Sequence, residues 1–159
     1  MNESIHILKE QILVFTLDEQ PYALSLHSVV KVIHAIEIRH LPNAPEIIAG
    51  IINVKGQIIP VADIRKRFGL TAHEIDPDDR LIITDTGKRQ VAILVDSVTG
   101  IIDLEPAHLD LTKKSMSFAE HISGVAKTED GLILIYDLAG FLNLDEEKDL
   151  DLARKNKKL

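Results

Sequence analysis

The chain contains no cysteine and no tryptophan, and aromatic residues make up only 4% of its 159 positions. Without cysteine there is no disulfide framework and no thiolate chemistry. With so few rings, the core must be aliphatic and dominated by Ile, Leu and Val, a composition that favours β-structure. Positive charge is also in short supply. Eighteen Lys and Arg face 25 Asp and Glu, for a formal charge of −7. That balance argues against a nucleic-acid surface, which needs clustered basic residues. Long apolar runs are missing as well. The longest, Ile47 to Ile52, falls far short of the ~20 residues needed to span a bilayer. No leading stretch has the basic start and apolar core of a signal peptide. The expectation is a cytoplasmic chain without membrane insertion, able to bury roughly 68–70% of its unfolded surface in one compact unit.

The parts of an active site are equally scarce. None of the seven histidines has metal-ligand spacing. No serine sits in a Gly-x-Ser-x-Gly elbow. Gly50 and Gly56 lack the Lys-Ser/Thr and third glycine of a phosphate loop. The acidic cluster Asp76-Pro77-Asp78-Asp79 resembles no calcium loop and reads as a solvated joint. Arg65-Lys66-Arg67 reads as the solvated face of a short helix. Asp63 and Asp137 each follow an apolar run and precede a short helical segment. A carboxylate there accepts hydrogen bonds from orphan N–H groups, so capping is preferred over a catalytic pair. No catalytic residue, cofactor or metal is expected.

What is present is a doubling. Tyr22 to Val29 reads like Val91 to Val98, Glu46 to Gly50 like Glu120 to Gly124, and Ile58 to Ile64 like Leu132 to Leu138. The second and third pairs share one spacing, 74 residues, and the first is 69 apart. A long repeat present only twice points to two similar lobes, not a solenoid.

Each half holds about five short strands. In the first, β-rich runs flank turns at Asp18–Pro21 and Lys55-Gly56, with a further strand over Val29 to Ile38. Pro60 marks an edge or a bulge. A short helix follows from Asp63 to Leu70. In the second half, strands surround Asp85–Lys88 and the Asp-Gly turn at Glu129–Gly131, and Val98 to Leu104 extends the sheet. Pro106 to Phe118 is irregular or partly helical. Asp145 to Leu159 reads as a helix with acids first and bases last, the order its dipole favours. Five short strands close economically into a barrel. The expected architecture is mainly β: two barrel lobes at roughly 11–70 and 80–144, joined near 71–79, with termini free to exchange between the lobes and a helix at 145–159.

The run Gly50-Ile51-Ile52-Asn53-Val54-Lys55-Gly56-Gln57-Ile58-Ile59-Pro60-Val61-Ala62-Asp63-Ile64-Arg65 closely resembles the CheW family of chemotaxis coupling proteins. That family typically shows Gly-x-x-Asn-Leu-Arg-Gly-x-x-x-Pro-Val-x-Asp-Leu-Arg here. The resemblance covers roughly 11–144. It implies two SH3-like five-stranded barrels around a shared core and no catalysis. It implies an adaptor between the cytoplasmic tip of membrane chemoreceptors, seated between the lobes, and the regulatory domain of the histidine kinase CheA, with localisation to receptor arrays. A CheW-like module of a pilus-motility or developmental kinase pathway is the alternative. Carried over residue by residue, the receptor side falls on Lys31, Asn53, Lys55 and Gly56, and the kinase side on Ser97 and Val98. Two positions depart from the pattern. Lys55 stands where the family has arginine, losing the bidentate fork. Lys31 stands near a family glutamate, reversing the charge.

Overall fold

In the computed structural model, residues 10–104, 109–110, 122–129, 131–138 and 142–157 are described. The strands are β1 (Glu10–Leu17), β2 (Gln20–Ser25), β3 (Val29–His34), β4 (Ile48–Val54), β5 (Gln57–Ala62), β6 (Arg80–Asp85), β7 (Gln90–Val95), β8 (Ser97–Leu104), β9 (Leu109–Asp110), β10 (Ile122–Thr128) and β11 (Gly131–Tyr136). Two helices, α1 (Arg65–Phe68) and α2 (Leu144–Lys157), accompany them. Sheet A has the order β8-β1-β2-β11-β10-β9, and sheet B has the order β3-β6-β7-β5-β4. Each forms a small SH3-like lobe of five principal strands, with the two-residue β9 as an addition to sheet A.

The sheets do not divide the chain between 70 and 80. Sheet A takes the β1–β2 hairpin from the first half, and sheet B takes the β6–β7 hairpin from the second. Each repeat therefore lends its leading hairpin to the other lobe. The seams are parallel and equivalent: β11 on β2 pairs Ile135 with Ala23, and β5 on β7 pairs Val61 with Ala92. The crossings between lobes lie at the 3-10 turn Leu26–Ser28 and at Asp96, not near 71–79. The 71–79 joint connects α1 to β6, both on the sheet B side. The repeat even reproduces its irregularities. Register shifts at Ile48/Gly50 and Val29/Lys31 recur at Ile122/Gly124 and opposite Val14/Phe15.

Both faces of the central strands are buried. Ile12, Val14, Ala23, Ile133 and Ile135 fill lobe A, while Ile52, Ile59, Val61, Leu81, Ile83 and Ala92 fill lobe B. Their sequence neighbours, including Leu13, Phe15, Leu24, Ile82, Val91 and Ile93, point the other way and build a shared core between the sheets. This explains near-continuous apolar runs such as Val91 to Val95, since a strand covered on both sides does not alternate. Among the described residues the rings, Phe15, Tyr22, Phe68 and Tyr136, gather at this junction. Phe68 of α1 stacks on Tyr22 with centroids 4.8 Å apart and meets the edge of Tyr136 at 4.9 Å.

Several local expectations change. Pro60 lies on β5, an interior strand, opposite Ile51 and just before the two-residue ladder to β7 begins. A residue without an N–H is tolerated there because that ladder starts at Val61. The strand from Val98 extends sheet A by pairing with β1, a strand from the other half of the chain within the same lobe. Helix α1 is a single turn. Asp63 accepts the Arg65 N–H at 3.1 Å, as a capping carboxylate should. The irregular segment 106–108, 111–118 and the helix start after Asp137 lie outside the described residues.

Helix α2 begins one residue earlier than the charge pattern implied. Asn143 Oδ1 accepts the Glu146 N–H at 2.8 Å, and Glu146 Oε1 accepts the Asn143 N–H at 3.0 Å. This reciprocal cap satisfies two orphan donors. Arg67 and Arg89 hold Glu146, Glu147 and Asp151 at 2.8 Å, while Leu150 and Ala153 enter the shared core. Asn143→Ala is expected to cost about 1 kcal/mol, read as a lower urea midpoint with an unchanged slope.

Candidate functional site

Asn53, Lys55 and Gly56 belong to one turn. The β4–β5 hairpin reverses at Lys55-Gly56, whose φ values are 51° and 90°. Two successive left-handed residues give the turn whose twist matches the flanking strands. Asn53 Oδ1 accepts the Gly56 N–H at 2.7 Å and fixes the loop. Gly56 supplies the φ, Asn53 the pin, and Lys55 an exposed ammonium that forms no ion pair among the described residues.

Beside this turn a groove of about 510 Å³ opens on the flank of lobe B, lined by Ile36, Glu37, Arg39, Ile51, Asn53 and Ile58. Its wall is the segment that leaves β3 and bridges to β4 through reciprocal 2.8 Å hydrogen bonds between Arg39 and Ile51. Between the lobes, by contrast, the sheets enclose packed core. Lys31 is exposed on β3, at the opposite end of sheet B's hydrogen-bonded order, and does not line the groove. It immediately follows a bulge at Val30, which is 49% exposed.

Ser97 and Val98 open β8, the outermost strand of sheet A. The Ser97 hydroxyl lies 2.6 Å from that of Thr16. Val98 is half-buried and packs against the shared core. The structure thus separates the six predicted residues into a lobe B turn, a lobe B edge and a lobe A edge.

The strongest polar constellation was not anticipated. Arg65 is not on a solvated face; it is 3% exposed. Its Nη1 donates to Asp18 at 2.7 Å and to the Thr71 carbonyl at 3.2 Å, and its Nη2 donates to both oxygens of Asp96 at 2.7 Å. Asp18 sits in the β1–β2 turn of lobe A, Arg65 in α1 beside lobe B, and Asp96 at the crossing between the lobes. Asp96 also accepts the Asp18 N–H at 2.8 Å and lies 2.9 Å from His73 Nε2. Burial alone would pull the Arg65 guanidinium down, but Asp96 and Asp18 outweigh it and hold its pKa above the ordinary value. Burial alone would push Asp96 up, but Arg65, the Asp18 N–H and His73 hold it below the usual carboxylate value. Sequence spacing showed no metal site, yet the fold gathers one His/Asp group among the described residues, His73, Asp79 and Asp96. There the fork of Arg65 already supplies the cation to Asp96. In the sequence Asp96 aligns with His27, which reads only as a position polar in both lobes; the structure makes both of them crossing points.

The match to known proteins is continuous across this architecture. The CheW-like domain model matches residues 11–146. The chain belongs to the CheW-like domain family. It is similar to the chemotaxis protein CheW of Thermotoga maritima, with 33% identity over 132 residues, covering 82% of this chain and 87% of that one. It is also similar to chemotaxis protein CheW of Bacillus subtilis, at 26% identity over 141 residues, covering 87% and 90%. In three dimensions it resembles the scaffolding protein TtCheW of Thermoanaerobacter tengcongensis, with a TM-score of 0.79, 31% identity and coverage of 87% of this chain and 96% of that chain. CheW-like proteins are non-catalytic scaffolds and adaptors, and this chain is one. No helix among the described residues is long and apolar enough to cross a membrane.

Proposed function

We propose that this CheW-like protein couples the cytoplasmic tip of chemoreceptors to the regulatory domain of the histidine kinase CheA in arrays at the inner face of the membrane. The observation that carries the reading is the β4–β5 turn: a loop pinned by Asn53 that carries Lys55, exposed and without an ion pair among the described residues, next to an apolar groove. An apolar trough with a charged rim suits an amphipathic helix, the form of a receptor tip. In this reading Asn53 and Gly56 hold the turn, Lys55 meets receptor carboxylates beside the groove, and Lys31, on the β3 edge outside the groove, offers the receptor a second, separate charge. Lysine in place of the family's arginine makes this contact a point charge, not a bidentate grip. Ser97 and Val98 open the flank assigned to the kinase, on the other lobe and clear of the groove.

Calorimetry with the kinase regulatory domain and a receptor cytoplasmic fragment from the same organism tests the assignment. Both partners are expected to bind. Lys55→Glu should weaken receptor binding about tenfold, with kinase binding and thermal midpoint unchanged, because the exposed Lys55 side chain makes no ion pair or hydrogen bond among the described residues. Absence of kinase binding at high micromolar concentration would refute the coupling role. Unchanged receptor affinity in the variant would remove Lys55 from the site.

A further inference from the structure

The joint at 71–79 is tied down at three places. Arg65 holds the Thr71 carbonyl, and at the far end the Ala35 N–H donates to the Asp79 carbonyl at 3.0 Å. The third tie is His73, between two oxygen acceptors. Its Nε2 lies 2.9 Å from Asp96 Oδ1 and its Nδ1 2.6 Å from the Glu74 carbonyl. A neutral imidazole has one N–H and can satisfy only one of them; the imidazolium has two and satisfies both. The geometry therefore specifies the charged ring.

The surrounding charges agree. Facing or adjoining His73 are Asp96 at the lobe crossing, Asp79 at the end of the joint, Arg65 on α1 and, through Arg65, Asp18 in the β1–β2 turn. Three carboxylates meet one guanidinium, so a further positive charge is favoured. The Glu74 carbonyl and Asp96 raise the pKa of His73 above the ordinary histidine value, against opposition from burial and Arg65.

We propose that His73 is a proton-operated latch, which fastens the 71–79 strap across the lobe crossing through both ring nitrogens when charged and loosens residues 72–75 when neutral, because the neutral ring keeps only one of the two hydrogen bonds and loses its attraction to Asp96. The sign follows from the raised value. The tie is fully present below the unfolded histidine pKa of about 6.5, and it is lost as pH rises through the higher folded value. The strap would then be loose on the alkaline side while Arg65 still joins Asp18 to Asp96, so the lobes stay together.

The test is an NMR titration of the full chain between about pH 5 and 9, alongside His73→Gln. The His73 ring, assigned by the resonance that the variant lacks, should carry protons on both nitrogens below a midpoint higher than about 6.5. The amides of residues 72–76 and of Asp96 should shift with that same midpoint, and in His73→Gln those shifts should vanish. A His73 midpoint at or below that of an unstructured histidine overturns the proposal. So do strap amides that ignore the His73 midpoint, or that titrate unchanged in the variant. Because His73 is on the surface and outside the core, the variant folds, and the comparison stays interpretable.

Discussion

Arg65→Ala is expected to lower the unfolding free energy by about 3 kcal/mol, which for a chain of this size is a fall of roughly 6–12 °C in thermal midpoint. The loss comes from what is left behind. Asp96, whose side chain is 28% exposed, would keep its carboxylate at the lobe crossing with its bidentate partner gone. The Asp18 side chain is half exposed and recovers part of its hydration, so the lower end of the buried-pair range applies. Arg65→Lys should recover less than half the loss, since an ammonium cannot span Asp18 and Asp96 as the fork does. Denaturant unfolding at pH 7 reads both values. The acid limb offers a second check. Asp96 has a depressed folded pKa, so its contribution is present above the unfolded carboxylate value and disappears as pH falls through the folded one. Arg65→Ala should flatten that part of the stability profile. A variant as stable as the parent, with the same acid limb, would show that the cluster is ornamental.

Gly50→Ala should cost about 3 kcal/mol, at the upper end of the usual overpacking range. A Cβ at Gly50 would stand 2.4 Å from the Arg39 carbonyl oxygen and 2.8 Å from Ile38 Cγ2. The obstacle is backbone, and it is held in place by the two hydrogen bonds between Arg39 and Ile51. The bridge must open to admit a methyl group, and the groove wall at Glu37 and Arg39 opens with it. Faster amide exchange at Ile51 is the local signature to measure, together with weaker receptor binding. Gly56→Ala is the control. Its φ is 90° but nothing lies within 4 Å of a new Cβ, so only the conformational cost of about 1 kcal/mol applies. Equal stabilities for the two variants would contradict the steric account.

The doubling, the hairpins and the capping role of Asp63 were legible because each is a local pattern or a turn with its own chemistry. The sequence left an exchange of termini between the lobes open, but did not say which hairpins take part. Strand β7 is buried on both faces from Val91 to Val95, so its sequence carries no alternation to say which lobe it joins. The seams β2–β11 and β5–β7 are parallel contacts between distant segments, with no turn to announce them. Arg65 was hidden for a similar reason. A basic residue on a one-turn helix is normally solvated, and the partners that bury this one lie 47 and 31 residues away. Lys55 and Gly56 were placed correctly in a turn by their local sequence, whereas no local signal relates Lys31 to the groove.

The interleaved strands also bear on mechanics. Two lobes joined by a linker would swing about it, and displacement at one would dissipate before reaching the other. Here each lobe contains a hairpin rooted in the other half of the chain, so a pull between them loads the short parallel seams and the longer antiparallel ladders of those hairpins in shear together. Among the described residues the two lobes are thus built as one stiff strut, not as two bodies on an elbow.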